Sequence, residues 1–271
     1  MQAEPRASAA VSATTPAAAP APMAVIYRDE HLVAVHKPAG LLVHRSGLDA
    51  HELDTAVERL RHQWEGSPPA FLAPAHRLDK GTSGVLVFAL HSDAARQLAA
   101  AFESQAMRKR YLALVRGWPE AQTRVDHPLA RDPELPSSGQ PQLQACTRFT
   151  RLARVEWPYA SDARHPGSRH AVLLAQPEQG RRHQIRRHLK HIAHPILGDA
   201  THGKGPLNRV WAQWVGMSRL WLHAWQLQLP HPDDGHLLTL TAEPGPEWQG
   251  LATRGDWQEP LDLSPARLVA G

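Results

Sequence analysis

A single cysteine, Cys146, is all the thiol chemistry this sequence offers. No intramolecular disulfide can form and no cysteine-based zinc site can be built, which fits a reducing, cytoplasmic setting. The chain has no run of about eighteen apolar residues, so no membrane-spanning helix is expected. Residues 1–22 are mostly Ala, Pro, Ser and Thr and lack the basic start and Leu-rich core of a secretory signal. Pro16, Pro20 and Pro22 would break a helix there. The expectation is a disordered tail, with a transit peptide as the weaker alternative. Clustered carboxylates of the kind a metal-dependent nuclease uses are missing. So are a Gly-rich nucleotide loop and an Asp-Phe-Gly segment, which argues against a kinase. His183, His188, His191 and His194 are spaced by five, three and three residues, without a His-Glu-x-x-His pattern. Metal binding is not expected from them; hydrogen bonds to backbone or phosphate are.

What is present is a chain with 42% hydrophobic residues, enough for a sizeable core, a formal net charge of +4 and a pI near 9.6. A basic balance suits a polyanionic partner without proving one. The most informative stretch is His76-Arg77-Leu78-Asp79-Lys80-Gly81-Thr82-Ser83-Gly84, a polar loop that runs into the apolar strand Val85–Leu90. One carboxylate, Asp79, sits among basic neighbours. Gly81 and Gly84 permit tight turns or close approach, and Thr82 and Ser83 can fix the loop's shape. A carboxylate on such a loop suits a nucleophile or a base, although loop aspartates more often cap turns.

Strands are expected at 25–27 and 32–35, joined by a turn at Arg28-Asp29-Glu30, then a helix over 54–63 with Leu53, Ala56, Val57, Leu60 and Trp64 on its inner face. Ser92 is the expected N-cap of a second helix, with Leu98, Phe102 and Ala106 inward and an end in Met107–Arg110. Tyr111–Gly117 reads as a strand, in which Tyr111 is either an ordinary half-buried aromatic or a site residue. Further strands are expected at 147–155 and 170–175, with loops at 133–141 and 158–168. Gly180–Lys190 is the strongest basic run. Ile185, Leu189 and Ile192 repeat at helical spacing, which leaves a cationic face that is either simply solvated or turned toward phosphates. His194-Pro195-Ile196-Leu197-Gly198-Asp199 reads as a fixed turn rather than as chemistry. Leu220–Leu229 and Leu237–Ala242 form a hairpin around an Asp-Gly turn. Residues after about 245 carry little periodicity and are unassigned; the domain is expected to span 23–245.

His76-Arg77-Leu78-Asp79 with Thr82-Ser83-Gly84 resembles the catalytic motif of the RluA-type pseudouridine synthases. Lys109–Gly117, Gly180–Leu189, His194–Asp199 and Leu222-His223-Ala224 are similar to further motifs of that family, in the same order. The resemblance implies an α+β catalytic domain with a mixed, mostly antiparallel sheet in two halves and a central cleft. It implies an isomerase that converts a uridine in RNA to pseudouridine, without cofactor or metal. By position, Asp79 would be the catalytic carboxylate, Arg186 its ion-pair partner, Tyr111 the residue against the target base, and Arg77 the side chain that fills the helix after base flipping. No small N-terminal RNA-binding domain is expected before the first strand, so phosphate contacts are expected from Arg181, Arg182, Arg187 and Lys190. Val33–Gly40 with Val43-His44-Arg45-Ser46 is most similar to the branch of the family that acts on uridine 65 of tRNA. A ribosomal-RNA or dual-specificity synthase is the alternative, and a non-catalytic RNA-binding protein a more distant one. No obligate protein partner is implied.

Overall fold

Alternating and uninterrupted apolar runs dominate the chain, and they assemble one large sheet. The structure, a computed structural model, describes residues 21–45, 52–161, 165–265 and 268. The expected tail at 1–22 falls almost wholly outside the described residues, as does Ser46. The strands are β1 (Val25–Arg28), β2 (Leu32–Lys37), β3 (Ala73–Pro74), β4 (Ser83–Ala89), β5 (Arg108–Arg116), β6 (Gln122–Asp126), β7 (Leu129–Ala130), β8 (Gln142–Leu143), β9 (Cys146–Trp157), β10 (Ser168–Pro177), β11 (Leu222–Pro230) and β12 (Leu237–Thr241). The helices are α1 (Ala56–His62), α2 (Ser92–Glu103), α3 (Gln184–His191), α4 (Gly205–Val215) and α5 (Pro246–Ala252).

Eight strands follow the order β1-β2-β4-β11-β5-β10-β9-β6, with β3 added on β4 and β12 on β11, while β7 and β8 pair separately. Among the named strands of the described residues, only β4 and β11 run parallel, at His223 opposite Ser83 and Ala224 opposite Gly84; the other strand pairings are antiparallel. The fold is therefore α+β with a mixed, mostly antiparallel sheet, as expected. Strands β4 and β10 have apolar side chains on both faces, and β4 is buried along its whole length, as a central strand covered on both sides must be.

The parallel seam divides the molecule. On one side, Leu32, Ala34, Val85 and Val87 pack with α2 through Ala94 and Leu98, while Val33, Val35, Leu86 and Phe88 pack with α1 through Ala56 and Leu60. On the other, Leu112, Leu114, Val172, Leu174 and Phe149 join the aromatic group Trp157, Trp211, Trp221 and Trp248.

Four local expectations need correction. The second helix is capped by His91, whose Nδ1 accepts the Ala94 N–H at 3.2 Å, and Ser92 is already its first residue. It ends at Glu103, leaving Ala106 exposed, because Arg108–Arg110 belong to β5 and are held there by pairing to β11. Leu53, expected on the inner face of the first helix, is 70% exposed and precedes α1, which begins at Ala56, whereas Trp64 is half-buried against the core with the Arg28 guanidinium 3.9 Å above its ring. The unassigned stretch after 245 supplies core residues: Trp248, Leu251 and Leu268 are buried in the main core, and Trp157 Nε1 donates to Arg254 O at 3.1 Å.

Candidate active site

The loop that presents Asp79 is fixed from below, from the side and from behind. Leu78 is buried beneath it, and Thr82 N–H closes a turn onto Asp79 O at 2.9 Å. The fully buried Lys37 ammonium donates to Lys80 O at 3.2 Å and to Pro38 O and Leu41 O at 2.9 and 2.7 Å, joining the loop to the segment after β2. Burial pushes this lysine down to about 7. Behind the loop, Ser83 Oγ meets His223 Nδ1 at 2.9 Å and accepts from Arg219 Nη2 at 2.9 Å. His223 Nε2 lies 2.8 Å from Ala242 O, an acceptor only, so Nε2 carries the proton and Ser83 donates to Nδ1. Arg219 in turn pairs with Glu247 of α5. At the seam, Gly84 has φ +116°, and a Cβ there would lie 2.1 Å from Ala224 O. Only glycine lets the two strands approach this closely.

Opposite the loop stands α3. Gln184 anchors it: its Oε1 accepts Arg181 N–H at 3.0 Å, and its Nε2 donates to Cys146 O at 2.9 Å and Thr147 Oγ1 at 3.1 Å. Two residues on, Arg186 is buried and reaches across the cleft, with Nη1 2.8 Å from Asp79 Oδ2 although 107 residues separate them in sequence. Its other edge is held by Asp199 through Nε to Oδ2 at 2.7 Å and Nη2 to Oδ1 at 2.8 Å. Asp199 Oδ1 also accepts the N–H groups of Thr201 and His202 at 3.0 and 2.8 Å. Burial alone would raise the Asp199 pKa, but these bonds and the guanidinium charge lower it. For Arg186, burial opposes the charge, yet the bonds to Asp199 and Asp79 win and its pKa rises. Arg186 is therefore a fixed cation between two carboxylates, one deep and one facing the cleft.

Tyr111 projects from β5 into the same cleft, where burial and then the Asp79 charge raise its phenol pKa. It is neutral at ordinary pH. Arg77, Lys109, Arg181, His183 and Thr82 also line the cleft. Burial, reinforced by Arg181, lowers Lys109 to about 8, and its Nζ donates to Gln179 O at 2.9 Å. His183 adopts left-handed φ 55° just before α3. Its Nε2 is 3.8 Å from Asp79 Oδ1 and its Nδ1 3.0 Å from His202 Nε2. Burial lowers the pKa of both rings, His202 to about 4.

The structure thus brings together Asp79, Arg186, Tyr111 and Arg77, the last exposed at the rim. The phosphate candidates fare unevenly. Lys190 is exposed, and Arg181 is exposed with Nε donating to Gln144 O at 3.1 Å. Arg182 is ion-paired to Asp132 at 3.0 Å and to Glu134. Arg187 is half-buried and donates to Ala130 O at 2.8 Å. The basic run is therefore not one uniform cationic face: Arg186 and His188 turn inward. His188 Nε2 and His194 Nδ1 hydrogen-bond the carbonyls of His127 and Arg116, in line with expectation.

Asp199 is a site residue that the sequence presents only as part of a turn; its buried carboxylate pairs with a residue 13 positions away. Lys109 and His183 likewise stand in sequence only as parts of motif phrases. The signal in both cases was a polar residue at a position the apolar pattern leaves facing the cleft.

The family model described as RNA pseudouridylate synthase matches residues 31–191, a span that contains Asp79, Tyr111 and Arg186. The chain belongs to the RNA pseudouridylate synthase family. It is 41% identical over 242 residues to tRNA pseudouridine synthase C of Vibrio cholerae, covering 88% of this chain and 97% of that protein. It is 43% identical over 238 residues to tRNA pseudouridine synthase C of Yersinia pestis, covering 86% and 91%. Among solved structures, human RNA pseudouridylate synthase domain containing 1 superposes with a TM-score of 0.69 at 25% identity, covering 92% of this chain and 93% of that one. This pseudouridylate synthase is thus an enzyme of a known reaction class. Among the described residues, no helix is long and apolar enough to cross a membrane.

Proposed function

We propose that this enzyme isomerises a single uridine of tRNA, position 65, to pseudouridine, with Asp79 as the catalytic carboxylate. The observation that carries the residue assignment is the Asp79–Arg186 pair facing a cleft that Tyr111 also lines. The choice of tRNA is supported by identity of about 41–43% to relatives called tRNA pseudouridine synthase C over nearly their whole length. Such an enzyme would work where tRNA is processed, in the cytoplasm.

The reaction breaks the bond between uracil N1 and ribose C1′, turns the base and rejoins it through C5. The hydrogen at C5 leaves as a proton and N1 ends protonated, so the overall change is an isomerisation with no oxidant or donor. Asp79 acts beside the glycosidic bond, as nucleophile or as base. Arg186 keeps it ionised in a poorly hydrated cleft, since an opposite charge offsets desolvation. Asp199 holds Arg186 so that its third edge stays aimed at Asp79. Tyr111, neutral because its phenol pKa is raised, lies against the uracil as a stacking surface and hydrogen-bond donor rather than as a phenolate. The target base must leave its helix to enter the cleft. Arg77 at the exposed rim is placed to occupy the vacated space, and its planar head and length suit that work. Arg181, Lys190 and, once released from their own-chain partners, Arg182 and Arg187 meet phosphates.

The test is nucleotide-resolution mapping of pseudouridine after purified enzyme is incubated separately with unmodified tRNA and with ribosomal RNA fragments. Modification of uridine 65 in tRNA alone is expected. Efficient modification of ribosomal RNA would favour the other specificity within the family.

A further inference from the structure

A second group of titratable side chains lies at the far end of β11, where the β11–β12 hairpin turns against the turn between β1 and β2. His231-Pro232-Asp233-Asp234-Gly235-His236 forms the hairpin loop. Its backbone is closed by His231 N–H to His236 O at 2.8 Å and Gly235 N–H to His231 O at 3.0 Å, with Gly235 at φ +75°. The loop is therefore held in shape by bonds independent of its side chains.

We propose that His231, Asp234 and His236 bind a divalent, imidazole-preferring transition ion such as zinc, with Asp29 orienting His231. One ligand atom from each of the three residues falls within 4.8 Å of the others. His231 Nδ1 is 3.5 Å from Asp234 Oδ1, and His236 Nδ1 is 2.6 Å from the same oxygen. Nitrogen and oxygen ligands about 2.0–2.2 Å from a tetrahedral zinc lie roughly 3.4 Å apart. One separation already has that value. A second is a hydrogen bond that opens by under about 1 Å when the ion replaces the shared proton, and the third, between the two imidazole nitrogens, closes from at most 4.8 Å as the exposed His236 turns toward the ion.

The decisive feature is behind the first ligand. His231 is buried, and its Nε2 donates to Asp29 Oδ2 at 2.7 Å. Asp29 is itself fixed by Tyr27 OH at 2.7 Å and by the N–H groups of His31 and Leu32, both at 2.8 Å on Oδ1. A carboxylate on one imidazole nitrogen sets the tautomer so that the other nitrogen presents a lone pair, the arrangement that metal-ligating histidines share. Here that lone pair is Nδ1, which faces into the loop and accepts only the Asp233 N–H, at 3.3 Å. The stacked His231 and His236 rings, 4.8 Å between centroids, present their Nδ1 atoms to one carboxylate. Two imidazoles and one carboxylate select zinc, nickel or copper over magnesium or calcium, which prefer oxygen cages. Three protein ligands leave a fourth position for water. The site lies at the end of β11 opposite its Leu222–Ala224 segment, which meets the catalytic loop, so the ion would brace the β11–β12 turn rather than take part in the chemistry.

The experiment titrates metal-free, untagged enzyme with zinc chloride and separately with nickel chloride, by calorimetry and by thermal unfolding. Wild type should take up one equivalent with a rise in Tm. Asp234→Asn and His236→Gln, both at exposed positions, should each lose that equivalent and the Tm rise while retaining pseudouridine formation. Asp29→Asn keeps the turn's acceptor but not the charge, and should weaken binding about 10–100-fold. Binding that persists unchanged in Asp234→Asn and His236→Gln would place the ion on other histidines of the chain and overturn the proposal. So would the absence of any stoichiometric uptake by wild type.

Discussion

Replacing Asp199 with Asn isolates what the deep carboxylate does for the site. The side chain keeps its size and loses one charge. Its remaining oxygen can stay on Thr201 N–H, His202 N–H and Arg186 Nη2, the partners of Oδ1. The amide nitrogen then faces Arg186 Nε, and two donors oppose each other where a 2.7 Å bond stood. A hydrogen bond to a charged group contributes about 1.5–3 kcal/mol, and stripping a buried ion of a partner costs about 3–5 kcal/mol. Arg186 keeps Asp79 as a second anion, so we expect the lower end, about 3 kcal/mol, read from urea unfolding at pH 7. The linkage sign follows from the lowered Asp199 pKa. A depressed carboxylate contributes stability above its unfolded pKa, near 3.9, and that stability is lost as pH falls through its folded pKa. The gap between wild type and Asp199→Asn should therefore narrow only in acid, below about pH 4. In single-turnover assays the loosened Arg186 should slow conversion about 10–100-fold, the scale of a misplacement near 1 Å. Wild-type stability together with a wild-type rate would refute the idea that Asp199 holds Arg186 for Asp79.

The other expectations concern the loop and the RNA path. Gly84→Ala places a Cβ 2.1 Å from Ala224 O at a φ of +116°, so it should destabilise by several kcal/mol, about 3 or more, and appear largely insoluble or unfolded by circular dichroism. Lys190→Ala should flatten the slope of log affinity against log salt by about 0.7–0.9, one phosphate contact's worth. Arg182→Ala should flatten it by less, because Asp132 and Glu134 already occupy that guanidinium. An unchanged slope for Lys190→Ala would make the basic run a merely solvated face. Arg77→Ala should leave the salt slope nearly unchanged but lower the single-turnover rate about 100-fold if it stands in for the flipped base; a normal rate would remove that role.

Much of the sheet was legible because its strands are long apolar or alternating runs between clear turn signals. The hairpin of β11 and β12 around Asp234-Gly235 is the plainest case. What sequence periodicity does not carry is distance in space. Asp79 and Arg186 are 107 residues apart, and their pairing was anticipated from family resemblance, not from spacing. Asp199 was missed because a turn aspartate and a buried ion-pair partner look the same in one dimension. Helices α4 and α5 show little apolar periodicity in sequence, because α4 buries only Trp211 and α5 only Trp248 and Leu251. The start of α2 was misplaced by one residue because histidine is an uncommon N-cap beside a serine that is a common one.

The account's central claim is that Asp79 performs the chemistry and Arg186 only keeps it charged and aimed. Asp79→Asn tests it most directly, since it preserves size and removes the charge. Excess purified variant would be mixed with unmodified tRNA, and pseudouridine at position 65 followed over time, with tRNA affinity measured in parallel. The account predicts affinity within a few-fold of wild type and no pseudouridine formed. Appreciable conversion by Asp79→Asn would contradict it.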